Sequence, residues 1–166
     1  TDRNRTSPFA FTGNKFEFRA VGSSQNIATP ITVINTIVAD SLDFVRSKIE
    51  QAVKSKDFNT SVLSVIADLI RDTKKIRFEG NNYSQEWKEE AVKRGLPNEP
   101  STAEALKALI KEDNLALFER YKVFARDELR ARYKIWLEHY TKVLEIEAKT
   151  LNEMVNSSIV PNAFDY

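Results

Sequence analysis

The sequence has no cysteine and a single histidine among its 166 residues. Without cysteine there is no disulfide framework, no thiolate zinc site and no sulfur nucleophile. His139, standing alone, excludes from this chain any site built on two imidazoles. An excess of one charge is also missing, since 25 Lys and Arg face 24 Asp and Glu, leaving a net charge of +1. That balance argues against a dedicated binder of nucleic acid or of an anionic membrane. No apolar run approaches the roughly 18–20 residues of a membrane span. Nor does a basic stretch followed by an apolar one mark a secretion signal, so the cytoplasm is the expected location. There is no internal repeat and no low-complexity tract.

What is present is ordinary for a globular domain. The chain is 42% hydrophobic and 30% charged, too apolar for disorder, and its length fits one domain. It opens on Thr1-Asp2-Arg3-Asn4-Arg5 without a methionine and stops at Asn162-Ala163-Phe164-Asp165-Tyr166. Both ends read as cuts through a longer polypeptide.

Residues 7–20 carry the strand signal. Phe9, Phe11, Phe16 and Phe18 alternate with Ala10, Glu17 and Arg19, the period-2 pattern of a half-buried pair. Gly13-Asn14 supplies a two-residue turn, which sets Phe11 against Phe16 and Phe9 against Phe18. All four rings then share one face, and Glu17 and Arg19 project together from the other. After Gly22-Ser23-Ser24 the period becomes helical. Thr29-Pro30 reads as an N-cap with proline at the first helical position, opening a helix over 30–55. Its apolar stripe is Ile34, Val38, Leu42, Val45, Ile49 and Val53. A second helix covers 59–74 with Leu63, Ile66, Leu69 and Ile70 inward. Ser84 caps a short helix closed by Gly95, and residues 95–100 form the clearest linker. Ser101-x-x-Glu104 is a capping box, and residues 115–123 form another short helix. The longest pattern runs over 127–158, about 45 Å at the usual helical rise, with Pro161 limiting its end. The expected fold is mainly α, a helical bundle with one long C-terminal helix preceded by a β-hairpin.

The helices offer little chemistry. Glu145, Glu147 and Glu153 read as a solvated or ion-paired face, because no Glu-x-x-His motif accompanies them. His139 reads as a surface or packing residue, and Trp87, Trp136, Tyr133 and Tyr140 sit at core spacing. The hairpin differs. Glu17 and Arg19 place a hard-oxygen ligand for Mg²⁺ or Mn²⁺ beside a fork for phosphate oxygens. A metal with an arginine is the recurring equipment of phosphoryl transfer, although a hairpin edge of mixed charge has the same spacing.

Asn4-Arg5-Thr6-Ser7, followed by Phe16-Glu17-Phe18-Arg19-Ala20, resembles the substrate and phosphate hairpin of glutamine synthetases. The whole run of residues 2–24 is similar to the type III, long-subunit enzymes. The helical remainder resembles the C-terminal region of that class at Lys75-Ile76-Arg77-Phe78-Glu79-Gly80-Asn81 and at Glu145-Ile146-Glu147-Ala148. The resemblance implies ATP-dependent ligation of glutamate and ammonia, with Mg²⁺ or Mn²⁺ as cofactor, in a homo-oligomer of stacked rings forming a dodecamer. It implies that Glu17 ligates the metal beside the γ-phosphate and that Arg19 steadies the transferring phosphoryl group. Arg5 then contacts phosphate and substrate, with Asn4 beside it. Residues 1–28 become the end of the catalytic domain, the hairpin belonging to its barrel, and 29–166 the C-terminal helical region. The more familiar bacterial enzymes carry a further arginine five residues after the first, where this sequence has Ala10, so that nucleotide contact comes from elsewhere or is absent. The chain by itself is expected to be inactive. Two rival readings are an independent helical protein-interaction module and a related ligase or guanidino kinase.

Overall fold

The computed structural model describes residues 8–19, 22 and 25–165. Two short antiparallel strands come first, β1 (Phe9–Phe11) and β2 (Phe16–Phe18). Phe9 pairs with Phe18, Ala10 with Glu17 and Phe11 with Phe16, the register expected from the Gly13-Asn14 turn. Gly13 takes a φ of 98°, which a primed turn requires at its first central residue. The Thr12 N–H donates to Lys15 C=O and the Arg19 N–H to Pro8 C=O, each at 2.8 Å. Both phenylalanine pairs therefore occupy non-hydrogen-bonded positions, where side chains approach more closely. Phe9 and Phe16 stack with centroids 5.1 Å apart, and Phe11 and Phe18 complete the ring face at 5.2 and 6.2 Å.

The helices follow as α1 (Ala28–Ala52), α2 (Phe58–Asp72), α3 (Gln85–Lys93), α4 (Thr102–Leu106), α5 (Glu112–Arg120) and α6 (Arg126–Met154). A π turn (Val155–Ile159) joins α6 to α7 (Val160–Asp165). The mainly α class, the hairpin and the long C-terminal helix are as the sequence predicts. Several local readings differ. Helix α1 starts before Thr29: Asn26 Oδ1 accepts from the Ala28 N–H at 2.7 Å, so Pro30 falls third in the helix. Proline costs nothing there, because the first four N–H groups have no intrahelical partner. Helix α2 is capped by Asp57, whose carboxylate accepts from the Thr60 N–H at 3.1 Å. Hydrogen bonding from Thr60 lowers the Asp57 pKa. Pro161 does not end the helical run. It has no N–H and its ring crowds the carbonyl four residues back, and the turn before it opens to π geometry so that the helix continues.

Other signals hold. Ser84 Oγ accepts from the Trp87 N–H at 3.2 Å, and Ser101 Oγ from the Glu104 N–H at 3.3 Å. Helix α3 ends in a Schellman motif, with Leu96 N–H on Ala91 C=O and Gly95 N–H on Val92 C=O, Gly95 having φ 70°. The same motif closes α5 with Lys122 at φ 54° in the left-handed position.

The described residues divide into two compact units, one up to Asn98 and the other from Glu99, within the 95–100 linker. In the first, α1 packs on α2, and the buried residues are Ala10, Thr36, Ser61, Val65 and Ala91, all small or medium-sized. Leu42, Leu63, Ile66 and Ile70, expected inward, are exposed instead. Helix α2 buries the face of Ser61 and Val65 rather than the stripe of larger side chains. In the second unit α4, α5 and the 3₁₀ turn Lys107–Ile110 pack against α6. Leu115, Phe118 and Leu129 are buried there. Arg126 ties the unit's turns together, donating to Glu119 at 2.7 Å and to Glu112 at 2.5 Å, and these bonds raise its pKa further.

Candidate functional site

Glu17 in β2 and Arg19, the residue just after the strand, lie two residues apart, hence on one face, opposite the four rings. The Arg19 Nη2 donates to Glu17 Oε2 at 2.5 Å, a charge-assisted bond. Side-chain exposure is 29% for Arg19 and 36% for Glu17, so the pair is partly withdrawn from water yet reachable. Directly across from Glu17 lies Ala10, only 3% exposed. The backbone bond from Arg19 to Pro8 fixes the end of the strand beneath the guanidinium. Structure thus brings together two of the four candidate site residues. The other two, Asn4 and Arg5, lie outside the described residues.

The donor chemistry suits a hard divalent cation, which takes carboxylate oxygens, but such a cation wants about six ligands. Glu17 supplies one. Among the described residues no three His, Cys, Asp or Glu side chains come close enough together to hold a metal. The Glu17 carboxylate has the donor chemistry for one such position. Elsewhere the acidic side chains of α6 make surface pairs, Glu145 with Lys149 and Glu138 with Lys142, each at 2.6 Å. Glu147, Glu153 and His139 are exposed. Trp87 stacks on Phe78 with centroids 4.3 Å apart. The Arg94 guanidinium lies 5.3 Å from the Trp87 ring and donates to the Lys75 and Arg77 carbonyls. These aromatics and their arginine hold the loop before α3, a packing role as their spacing indicates. Arg94's part in it is not legible in the sequence, because its acceptors lie 17 and 19 residues away.

The model of the glutamine synthetase C-terminal domain matches residues 61–166, well over half of the chain. The chain belongs to the glutamine synthetase family. It is 47% identical over 164 residues, 99% of its length, to the type-3 glutamine synthetase of Dictyostelium discoideum. Identity is 40% over 169 positions with the glutamine synthetase of Bacteroides fragilis (strain YCH46), and 35% over 167 with that of Butyrivibrio fibrisolvens. The chain spans only 22% to 23% of the length of these relatives. The hairpin lies upstream of the C-terminal-domain match but inside the stretch aligned with the glutamine synthetases. No helix among the described residues is long and apolar enough to cross a membrane.

Proposed function

We propose that this chain is the C-terminal part of a type III glutamine synthetase, an ATP-dependent glutamate–ammonia ligase. Residues 1–28 end its catalytic domain and 29–166 form a helical region. The observation that carries this reading is the 47% identity to a type-3 glutamine synthetase along 99% of the chain, and the Glu17–Arg19 pair on one strand face supports it. In the reaction ATP phosphorylates the γ-carboxylate of glutamate, and ammonia then displaces phosphate from the γ-glutamyl phosphate. Arg19 steadies the transferring phosphoryl group, its planar fork meeting two equatorial oxygens at once. Arg5, with Asn4 beside it, contacts phosphate and substrate. Glu17 would be one ligand of a Mg²⁺ or Mn²⁺ ion. When bound, that ion neutralises charge on the phosphoryl oxygens. The hydrogen bond from Arg19 Nη2 to Glu17 Oε2 restrains the guanidinium, and preorganised charge is what such a transition state rewards.

The remaining ligands come from the rest of the polypeptide, and the chain by itself makes no glutamine. The exposed apolar faces of α1 and α2, on a chain under a quarter of its relatives' length, support burial within a larger assembly. A cytoplasmic homo-oligomer, a dodecamer of stacked rings, follows from the same reading. Glu17→Gln in the full-length enzyme tests it. A neutral amide is a poor ligand for a hard cation, so kcat is expected to fall about a hundred-fold or more. Near-wild-type turnover at saturating Mn²⁺ removes Glu17 from the site.

A further inference from the structure

We propose that the Glu17–Arg19 bond couples metal binding to phosphate binding at this face, the guanidinium competing with a cation for one carboxylate. The proposal rests on the reading of Glu17 as a metal ligand and Arg19 as a phosphate contact given above. Arg19 Nη2 donates to Glu17 Oε2, a charge-assisted bond. A carboxylate so engaged has part of its charge neutralised and lone pairs of one oxygen in use. Charge and oxygen lone pairs are what a hard divalent cation seeks. The guanidinium therefore weakens Glu17 as a ligand, and its own positive charge repels the cation besides.

The backbone keeps the competitor in place. Glu17 is paired across the ribbon with Ala10, and the Arg19 N–H donates to Pro8 C=O at 2.8 Å. Both side chains thus start from fixed points on one face. Side-chain exposure of 29% for Arg19 and 36% for Glu17 leaves their charges less screened than at an open surface. Phosphate oxygens change the balance. They match the planar fork of a guanidinium, draw on its N–H donors and offset its charge. Glu17 is then the better ligand, so phosphate strengthens the metal. Linkage requires the converse, with metal strengthening phosphate by the same factor.

Mn²⁺ binding to the full-length enzyme without nucleotide, read by electron paramagnetic resonance of the free ion, tests this without turnover. Arg19→Met keeps most of the side-chain stem and removes its charge and donors. It is expected to tighten the class of Mn²⁺ sites to which Glu17 contributes by about three- to ten-fold, the scale of a partly screened coupling. An arginine that only contacts phosphate predicts no change, and one that only supports the fold predicts weaker binding. Either result in folded Arg19→Met overturns the proposal. Should Arg19→Met not fold, Arg19→Gln decides by the same sign: tightening supports the proposal, and unchanged or weaker binding overturns it. Repeating the substitution in a Glu17→Gln background locates the effect. There the tightening is expected to shrink, and tightening of undiminished size overturns the proposal, because the arginine then acts on the ion without Glu17. Glu17→Gln alone separates two failures. If it leaves every class of Mn²⁺ site unchanged, the reading of Glu17 as a ligand has failed; if it weakens one class while Arg19→Met tightens none, only the present proposal has.

Discussion

A guanidinium and an ammonium carry the same charge, but only the guanidinium offers a rigid fork to two oxygens. Arg19→Lys in the full-length enzyme is therefore expected to recover little of the activity lost in Arg19→Ala, with kcat at least about ten-fold below wild type. Recovery of most of the activity identifies Arg19 as a point charge. The adjacency of Glu17 and Arg19 is legible in the sequence, since a two-residue turn at Gly13-Asn14 leaves one register that keeps the rings together. The near-complete burial of Ala10 on that face is not, because an alternating pattern names a residue's face and says nothing of what covers it. Ser61 makes the same point. It is fully buried, and its hydroxyl has no hydrogen-bond partner among the described residues. A buried polar group left unsatisfied is destabilising, so Ser61→Ala is expected to leave stability unchanged or raise it by up to about 1 kcal/mol. A clear loss in a urea titration identifies a partner for the hydroxyl. Buried Thr36, by contrast, returns its hydroxyl to the Thr32 carbonyl at 2.8 Å.

Elements obey local chemistry where one residue governs an end and depart from it where two compete. Ser84, Ser101 and Gly95 act as their types dictate. Thr29 yields to Asn26, whose amide oxygen reaches the helix three residues sooner. Pro161 is a breaker by composition, but the π turn before it absorbs the crowding, and no pattern of apolar residues reports that adjustment. The start of α6 shows a cap half built. The Ala125 N–H donates to Glu128 Oε2 at 2.7 Å, and Ala125 has the extended backbone of an N-cap but no oxygen to return the bond. Ala125→Ser supplies it. The substitution is expected to stabilise the helix by about 0.5–1 kcal/mol, read as slower amide exchange through the first turns of α6. Unchanged exchange means that Glu128 alone already satisfies this end.

At the scale of the whole molecule, amphipathic stripes are plain in the sequence, but which of them this chain can cover is not. The first unit buries Ala10, Thr36, Ser61, Val65 and Ala91 while Leu42 and Leu63 stay more than 60% exposed. Each side chain the size of leucine forgoes about 1.5–3 kcal/mol by remaining in water, so the unit is short of the burial that stabilises a domain of its size. The second unit, with Leu115, Phe118 and Leu129 in its interior, is better supplied. The isolated 166-residue chain is therefore expected to show a helical circular dichroism spectrum with stability divided between the units. Hydrogen exchange in α2 is expected to be faster than in α5 and the first half of α6, and fastest in the hairpin, since two strands alone are marginal in water. The open ring face and the exposed stripes should also drive association that grows with concentration, visible by sedimentation. No glutamine should form, because among the described residues no three carboxylate or imidazole side chains gather to hold the metal that phosphoryl transfer uses. A monomer at high concentration with a slowly exchanging hairpin shows instead that these helices cover the rings themselves, and measurable synthetase activity shows that the chain carries a complete site.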